Sequence, residues 1–225
     1  KTYVKPSDIS STVISLLKFE PTLLTNLLTP SIDGLEKPTQ EVIRELSDIP
    51  LLLKIMSICP LTDLMLEKML KKLRCSILLS ISSFKNSAEV LKFQSALALQ
   101  CFTNEYIYDQ TENEKKALKK LEVSVERLLS NGKEPSPNLI LCLASFRALH
   151  QYEWYSLIKV TADIEDVFTR QVTEPKHENH LKSNIPTLNE ITNTVSEKVR
   201  QQYEENPYPR WVNLALPRKP ITVSE

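Results

Sequence analysis

Only a few groups of residues in this sequence have types and spacings that could support chemistry. His177 and His180 lie three residues apart beside Glu174 and Glu178. On a helix, two histidines at this spacing can bind one metal ion. No further ligand type clusters with them, and the surrounding sequence is polar, so an exposed surface helix is the better interpretation. We therefore predict no metal site in the chain.

The four cysteines form no Cys-x-x-Cys pair and lie among apolar residues in helical patterns: Cys59, Cys75, Cys101 and Cys142. Zinc ligands normally occur in close pairs, so zinc binding is the weaker of two interpretations. The stronger one is free, buried thiols in a reducing compartment. Because the first six residues do not resemble a signal peptide, we expect a cytoplasmic protein. A start at Lys1 instead of methionine also fits a fragment of a longer protein.

Glycine is scarce, with 2 residues against 14 prolines. Doubly wound nucleotide-binding folds place glycines where the backbone approaches phosphate or ribose. The sequence has no Gly-x-Gly, Gly-x-x-x-x-Gly-Lys or Gly-x-Ser-x-Gly pattern. We therefore predict neither a catalytic centre nor a cofactor-binding site in this chain.

The charges balance, since Lys plus Arg and Asp plus Glu each number 28. Nucleic acids and anionic membranes attract proteins through a net positive charge, which this chain lacks. No run of about eighteen apolar residues suggests a membrane-spanning helix. The composition therefore argues against nucleic acid and membrane as partners. The basic residues of the helix after Pro60, including Arg74, are interpreted as a solvated face.

Hydrophobic residues recur at helical spacing through most of the chain, and no strand pattern rivals them. We predict an all-α fold, a bundle of about ten helices with no significant sheet. Residues 1–50 form N-terminal helices, either a separate lobe or part of the same domain. Residues 51–193 form the central helical domain, and residues 194–225 form a last helix with an extended segment. The helices around Leu97 and Leu143 are apolar nearly all round, which places them at the centre.

Local signals predict several helix ends. Thr111 and Glu114 fit a capping box at a helix start. Gly132 fits the left-handed residue that follows a helix end. Pro135 and Pro137 directly precede a helix that we expect to run from residue 138 to residue 150.

A polar tripeptide, Asn104-Glu105-Tyr106, comes at the point where the central helix should emerge. Buried Asn104 and Glu105 would need hydrogen-bond partners. The three residues either hold a neighbouring helix or face a groove. A groove lined by them is the basis of the weakest of three functional hypotheses, a small helical enzyme.

The segment after the last helix combines rigidity with aromatic and cationic side chains. Its two prolines fix their own φ angles and push the residues before them toward extended conformations. Tyr, Trp and Arg recur at interface hot spots. The segment is either a strap on its own helical core or a docking element for another domain, and we weigh the two equally. The predicted interaction residues of this C-terminal strap are Tyr203, Asn206, Pro207, Tyr208, Pro209, Arg210 and Trp211.

Three stretches carry a family resemblance. They read Cys-Pro-Leu-Thr-Asp-Leu-Met-Leu-Glu at 59–67, Gln-Cys-Phe-Thr-Asn-Glu-Tyr at 100–106 and Val-Arg-Gln-Gln-Tyr-Glu-Glu-Asn-Pro-Tyr-Pro-Arg-Trp at 199–211. In order and spacing they resemble the region before the catalytic domain in bacterial tetratricopeptide-repeat S-adenosylmethionine-dependent methyltransferase proteins. The likeness runs from about residue 51 to residue 211, and the last stretch is the most specific.

The resemblance implies a helical region between tetratricopeptide repeats and a Rossmann-like methyltransferase domain. The expected function is a non-catalytic accessory module on the substrate side of that domain, docked through the C-terminal strap. S-adenosylmethionine would then bind the parent protein and not this chain, and a protein substrate would be a further partner. The rival hypothesis is a free-standing helical protein-interaction domain, such as an adaptor or effector.

Overall fold

The computed structural model describes residues 6–28, 39–84, 86–182, 184 and 193–205, and every regular element in these ranges is helical. The α-helices are α1 (Pro6–Leu17), α2 (Pro21–Leu28), α3 (Thr39–Ser47), α4 (Pro50–Ile58), α5 (Leu64–Leu79), α6 (Ala88–Thr103), α7 (Glu112–Ser130), α8 (Pro137–Ala144), α9 (Glu165–Phe168), α10 (Glu174–Lys182) and α11 (Thr194–Glu205). Short 3₁₀ turns cover Ile81–Ser83, Leu149–Gln151 and Glu153–Leu157, and a π-helical turn covers Thr169–Thr173. Helix α9, the π turn and α10 follow without a break, so the described residues form ten separate helices. The predicted all-α fold is confirmed.

Helix α6 lies at the centre of the bundle, where α3, α4 and α8 are its main neighbours. Most of its side chains are buried, among them Phe93 and Leu97. A helix that is apolar nearly all round can be covered on several sides at once. Leu143 of the adjoining α8 is fully buried as well. The predicted central position of both helices is therefore confirmed.

The hydrophobic core is continuous from the first helices to the π turn. It includes Ile14 of α1, Ile43 of α3, Phe93 of α6, Leu141 of α8 and Val172 of the π turn. Helices α3 and α4 both pack on α6. The described N-terminal helices therefore share one core with the central helices.

Two long helices begin at side-chain caps, and the sequence analysis predicted the second of these caps. The side chain of Asp63 accepts hydrogen bonds from the N–H groups of Met65 and Leu66, each at 3.1 Å, at the start of α5. The Thr111 hydroxyl accepts from the Glu114 N–H at 3.2 Å, and the Glu114 carboxylate accepts from the Thr111 N–H at 2.8 Å. This reciprocal pair confirms the capping box of α7.

Helix α7 ends in a Schellman motif. Gly132 follows the helix end with a φ angle of +67°. Its N–H donates to the Leu129 carbonyl, and the N–H of Lys133 donates to the Leu128 carbonyl, both at 2.9 Å. The predicted left-handed glycine is confirmed.

Helix α8 ends at Ala144, well before the predicted end at residue 150. In a longer helix the Ala144 carbonyl would accept a hydrogen bond from the N–H of Ala148. It accepts instead from the Tyr106 hydroxyl at 3.2 Å and from the Gln171 side-chain amide at 3.0 Å. Both partners are distant in sequence, so the local pattern gave the wrong helix end.

Candidate functional site

The polar tripeptide Asn104-Glu105-Tyr106 forms the end of α6. The N–H of Tyr106 donates to the Cys101 carbonyl at 2.8 Å, and the N–H of Glu105 donates to the Phe102 carbonyl at 3.3 Å. These two bonds make a second Schellman motif. Its left-handed position is normally glycine, but here Glu105 occupies it with a φ angle of +59°.

Tyr106 also has a positive φ angle, +55°, so two consecutive residues are left-handed. This turn brings the Tyr106 hydroxyl within 3.2 Å of the Ala144 carbonyl. The ring meets Phe102 edge-on, with 6.4 Å between ring centres. Tyr106 therefore joins the end of α6 to the end of α8.

Arg74 is the site residue that sequence reasoning missed. The pattern assigns it to the solvated face of α5, but the structure contradicts this, since the side chain is only 1% exposed. Arg74 lies four residues after Leu70 and four before Leu78, both of which are buried. Residues four apart share a helix face, so this spacing was the signal that could have revealed its burial.

The Arg74 side chain links three parts of the chain. Its Nη2 donates to the carbonyls of Tyr108 and Asp109, each at 3.1 Å. The guanidinium carbon lies 4.3 Å from the centre of the Phe146 ring. Its Nη2 also lies 3.9 Å from Oε1 of Glu114, the capping residue of α7. Arg74 thus holds the α6–α7 connection and the start of α7 against α5.

Several buried polar atoms around Arg74 lack a hydrogen-bond partner among the described residues. They are Nε and Nη1 of Arg74, Oε1 of Glu114, Oδ1 of Asn104 and the hydroxyl of Tyr108. Buried polar atoms are normally bonded by other protein groups or by ordered water. We call these four residues the Arg74 cluster. It is a polar, incompletely bonded part of an otherwise apolar core.

The groups near the cluster that could act as nucleophiles stay protonated. Burial raises the pKa of the Cys101 thiol to about 12, although the charge of Arg74 opposes it. Burial also raises the pKa of Cys142 to about 12 and raises the pKa of Tyr108. Because the thiolate is the reactive form of cysteine, Cys101 and Cys142 are chemically inert at neutral pH. The predicted burial of free thiols is confirmed for Cys59, Cys101 and Cys142, whereas Cys75 is half-buried.

Gln171, in the π turn, is a second polar link that local sequence does not reveal. Its side-chain oxygen accepts from the Leu149 N–H at 3.1 Å. Its side-chain nitrogen donates to the carbonyls of Ala98 and Ala144, at 3.2 Å and 3.0 Å. Nδ1 of His150 lies 2.6 Å from the Gln171 backbone carbonyl oxygen. The π turn therefore ties α6, α8 and the following 3₁₀ turn together.

The described part of the C-terminal interaction region is α11. The Asn193 side chain accepts from the N–H groups at the helix start. Three residues four apart, Val195, Val199 and Tyr203, form an apolar row with exposed fractions of 68%, 45% and 61%. We call this row the α11 stripe. The remaining residues of the C-terminal strap, 206–211, lie outside the described residues.

His177 and His180 are exposed on α10, as their polar surroundings predicted. Within the described ranges, no three His, Cys, Asp or Glu side chains are grouped to hold a metal ion. None of the described helices is long and apolar enough to cross a bilayer. A pocket of about 70 Å³ lies between the start of α8 and residues 158–164. Sites that enclose drug-sized ligands usually measure about 300–1,000 Å³, so this pocket is small.

Comparison with known proteins gives no assignment. No family model, no curated protein and no solved structure matches this chain.

Proposed function

We propose that this chain is a non-catalytic helical module of a bacterial S-adenosylmethionine-dependent methyltransferase. It would lie on the substrate side of the catalytic domain of the same polypeptide. The α11 stripe and the C-terminal strap would form the docking surface. S-adenosylmethionine would bind the catalytic domain, and a protein substrate would be a further partner.

The observation that carries the proposal is the exposed α11 stripe. Val195, Val199 and Tyr203 lie on one face because residues four apart recur on the same side of a helix. Large apolar side chains that are grouped and exposed mark interaction surfaces more often than single ones do. The stripe leads directly into the strap, whose sequence carries the most specific part of the family resemblance.

The internal polar residues support a structural role for the rest of the domain. Tyr106, Arg74 and Gln171 all donate to backbone carbonyls of neighbouring segments. Such bonds position helices and leave few polar groups for chemistry on a substrate. A scaffold that presents α11 to a partner is the function that this geometry supports best.

The test is binding of this chain to the methyltransferase domain encoded by the same gene, produced as a separate polypeptide. We expect micromolar affinity by calorimetry and at least a tenfold loss for Val199→Asp, since a buried carboxylate would oppose docking. The matched control is Val160→Asp, because Val160 is 43% exposed and belongs to a different segment of the chain. This control should bind like the unmodified chain.

Two results would overturn the methyltransferase assignment, and a third would overturn the docking surface. One is a gene that encodes no methyltransferase domain, which would favour the free-standing interaction domain. The other is micromolar binding of S-adenosylmethionine to this chain alone, which would place a cofactor site within it. Equal loss of affinity in Val199→Asp and Val160→Asp would exclude α11 as the docking surface.

A further inference from the structure

The outward face of α7 carries a row of cations around one apolar residue. Lys116, Lys120, Val123 and Arg127 are all exposed and follow one another at intervals of four, three and four residues. At 3.6 residues per turn these positions fall in one line along the helix. The opposite face holds Leu121, Val125 and Leu129, which are buried in the core. We call the outward row the α7 stripe.

The cations of the stripe differ from their neighbours on the same helix. Lys115 pairs with Glu112 at 2.7 Å, and Lys119 pairs with Glu122 at 3.5 Å. Arg147 approaches Glu122 as well, at 3.3 Å. By contrast, Lys116, Lys120 and Arg127 form no side-chain hydrogen bond or ion pair with any described residue. Glu112 and Glu122 thus pair with Lys115 and Lys119, whereas the three cations of the stripe have no such partner among the described residues.

We propose that the α7 stripe is the docking surface for an acidic amphipathic helix of a partner protein. Intervals of four, three and four residues average about 3.7, close to the 3.6 residues of one helical turn, so the stripe stays on one face of α7 over its whole length. The stripe covers eleven residue steps, or about 16 Å at 1.5 Å per residue, which is three helical turns. Carboxylates of the partner would face Lys116, Lys120 and Arg127, and an apolar side chain would pack on Val123. This surface is separate from α11, so the inference does not depend on the methyltransferase assignment.

The observations favour an acidic helix over a nucleic acid. The net charge of the chain is zero, so it has no general attraction for a polyanion. Val123 is 51% exposed at the centre of the stripe, and a phosphate backbone would gain nothing from this apolar contact. An amphipathic helix can satisfy both the charges and the valine at once.

The test uses a synthetic 18-residue helical peptide with Glu and Leu along one face, and fluorescence anisotropy as the readout. We expect saturable binding that weakens at least tenfold in Lys116→Glu/Lys120→Glu. The matched control is Lys115→Glu/Lys119→Glu, which has the same charge change, the same helix and the same four-residue spacing. It should bind within about twofold of the unmodified chain. Circular dichroism on both variants verifies that the exposed substitutions leave the fold intact.

Further arms separate specific docking from general charge attraction. Val123→Asp should weaken binding about as strongly as the stripe double variant, since it removes the apolar contact and adds a negative charge. A peptide of equal helicity with Lys in place of Glu should not bind. The proposal is overturned by equal losses in the two double variants or by no peptide binding at all. It is also overturned if a twenty-nucleotide oligothymidine binds as tightly as the acidic peptide, which would assign the stripe to phosphates.

Discussion

Glu105 occupies a left-handed position that glycine would suit better. Replacing Glu105 therefore tests whether the end of α6 is under backbone strain. Glu105 and Gly132 hold the same place in two Schellman motifs, with φ angles of +59° and +67°. A residue with a Cβ atom pays about 1–2 kcal/mol to adopt the left-handed conformation. Glycine adopts this conformation without that cost, but it loses about 0.5–1 kcal/mol more backbone entropy on folding. The difference predicts that Glu105→Gly stabilises the fold by about 0.5–1 kcal/mol.

The reciprocal substitution should have the opposite sign. A Cβ added at Gly132 meets no atom within 4 Å, so Gly132→Ala introduces no steric contact. Only the cost of the left-handed backbone conformation remains, and we expect destabilisation by about 1 kcal/mol. Glu105→Ala is the side-chain control, since it removes the carboxylate but keeps a Cβ at a left-handed position. The free-energy difference between Glu105→Gly and Glu105→Ala therefore isolates the backbone strain.

Urea unfolding followed by circular dichroism gives the three free energies, and thermal unfolding gives the melting temperatures. A change of 1 kcal/mol corresponds to about 2–4 °C for a chain of this size. Glu105→Gly should therefore raise the melting temperature by about 1–4 °C. If Glu105→Gly is no more stable than Glu105→Ala, the left-handed turn carries no strain and the reasoning is wrong. If Glu105→Gly is destabilising while Glu105→Ala is neutral, the α6 end requires a side chain for another reason.

Three further predictions concern the internal polar groups. Removing the hydroxyl in Tyr106→Phe should cost about 0.5–1.5 kcal/mol in urea unfolding, because one partly buried hydrogen bond is lost. No cost would mean that the α8 end does not need it. Arg74→Met should lower the free energy of unfolding by about 3 kcal/mol, since Glu114 is left buried without its cation. The double variant Arg74→Met/Glu114→Gln should recover part of that loss. An unchanged stability in Arg74→Met would show that Arg74 does not join α5 to the start of α7. The unfolding free energy should fall as the pH rises above about 8.5, because unfolded thiols ionise there while Cys101 and Cys142 keep pKa values of about 12. At about pH 10 each buried thiol should account for about 2 kcal/mol of this loss. Cys101→Ala should therefore reduce the pH dependence of stability measured by urea unfolding. An unchanged slope would show that burial does not keep the Cys101 thiol protonated.

The elements that sequence predicted correctly are those whose signals are local. The capping box at Thr111 and the glycine at position 132 act within one helical turn, so the residues that form them are adjacent in sequence. The centrality of α6 followed from its composition alone, because a helix that is apolar all round must be covered. These features depend on short-range geometry, and a single sequence contains all of it.

The features that sequence missed depend on partners far along the chain. Helix α8 stops at Ala144 because Tyr106 and Gln171 reach its last carbonyl from 38 and 27 residues away. Arg74 is buried because Tyr108, Asp109 and Glu114 supply carbonyls and a carboxylate from the α6–α7 connection and α7. A charged residue on an amphipathic helix is usually solvated, and only the folded chain reveals the exception.

The residues that hold the helices together differ from the exposed residues of the two stripes. The two docking proposals can therefore be tested without disturbing the fold. The last carbonyls of a helix have no partner within it, and this fold meets that need at the α8 end with the half-buried Tyr106 and the buried Gln171 from other segments. The stripes on α7 and α11 take no part in that bonding, and their side chains face outward. Surface substitutions of this kind usually change stability by less than about 0.5 kcal/mol. Loss of partner binding in the Lys116→Glu/Lys120→Glu or Val199→Asp variants, with unchanged unfolding free energy, would therefore report on an interface and not on the fold.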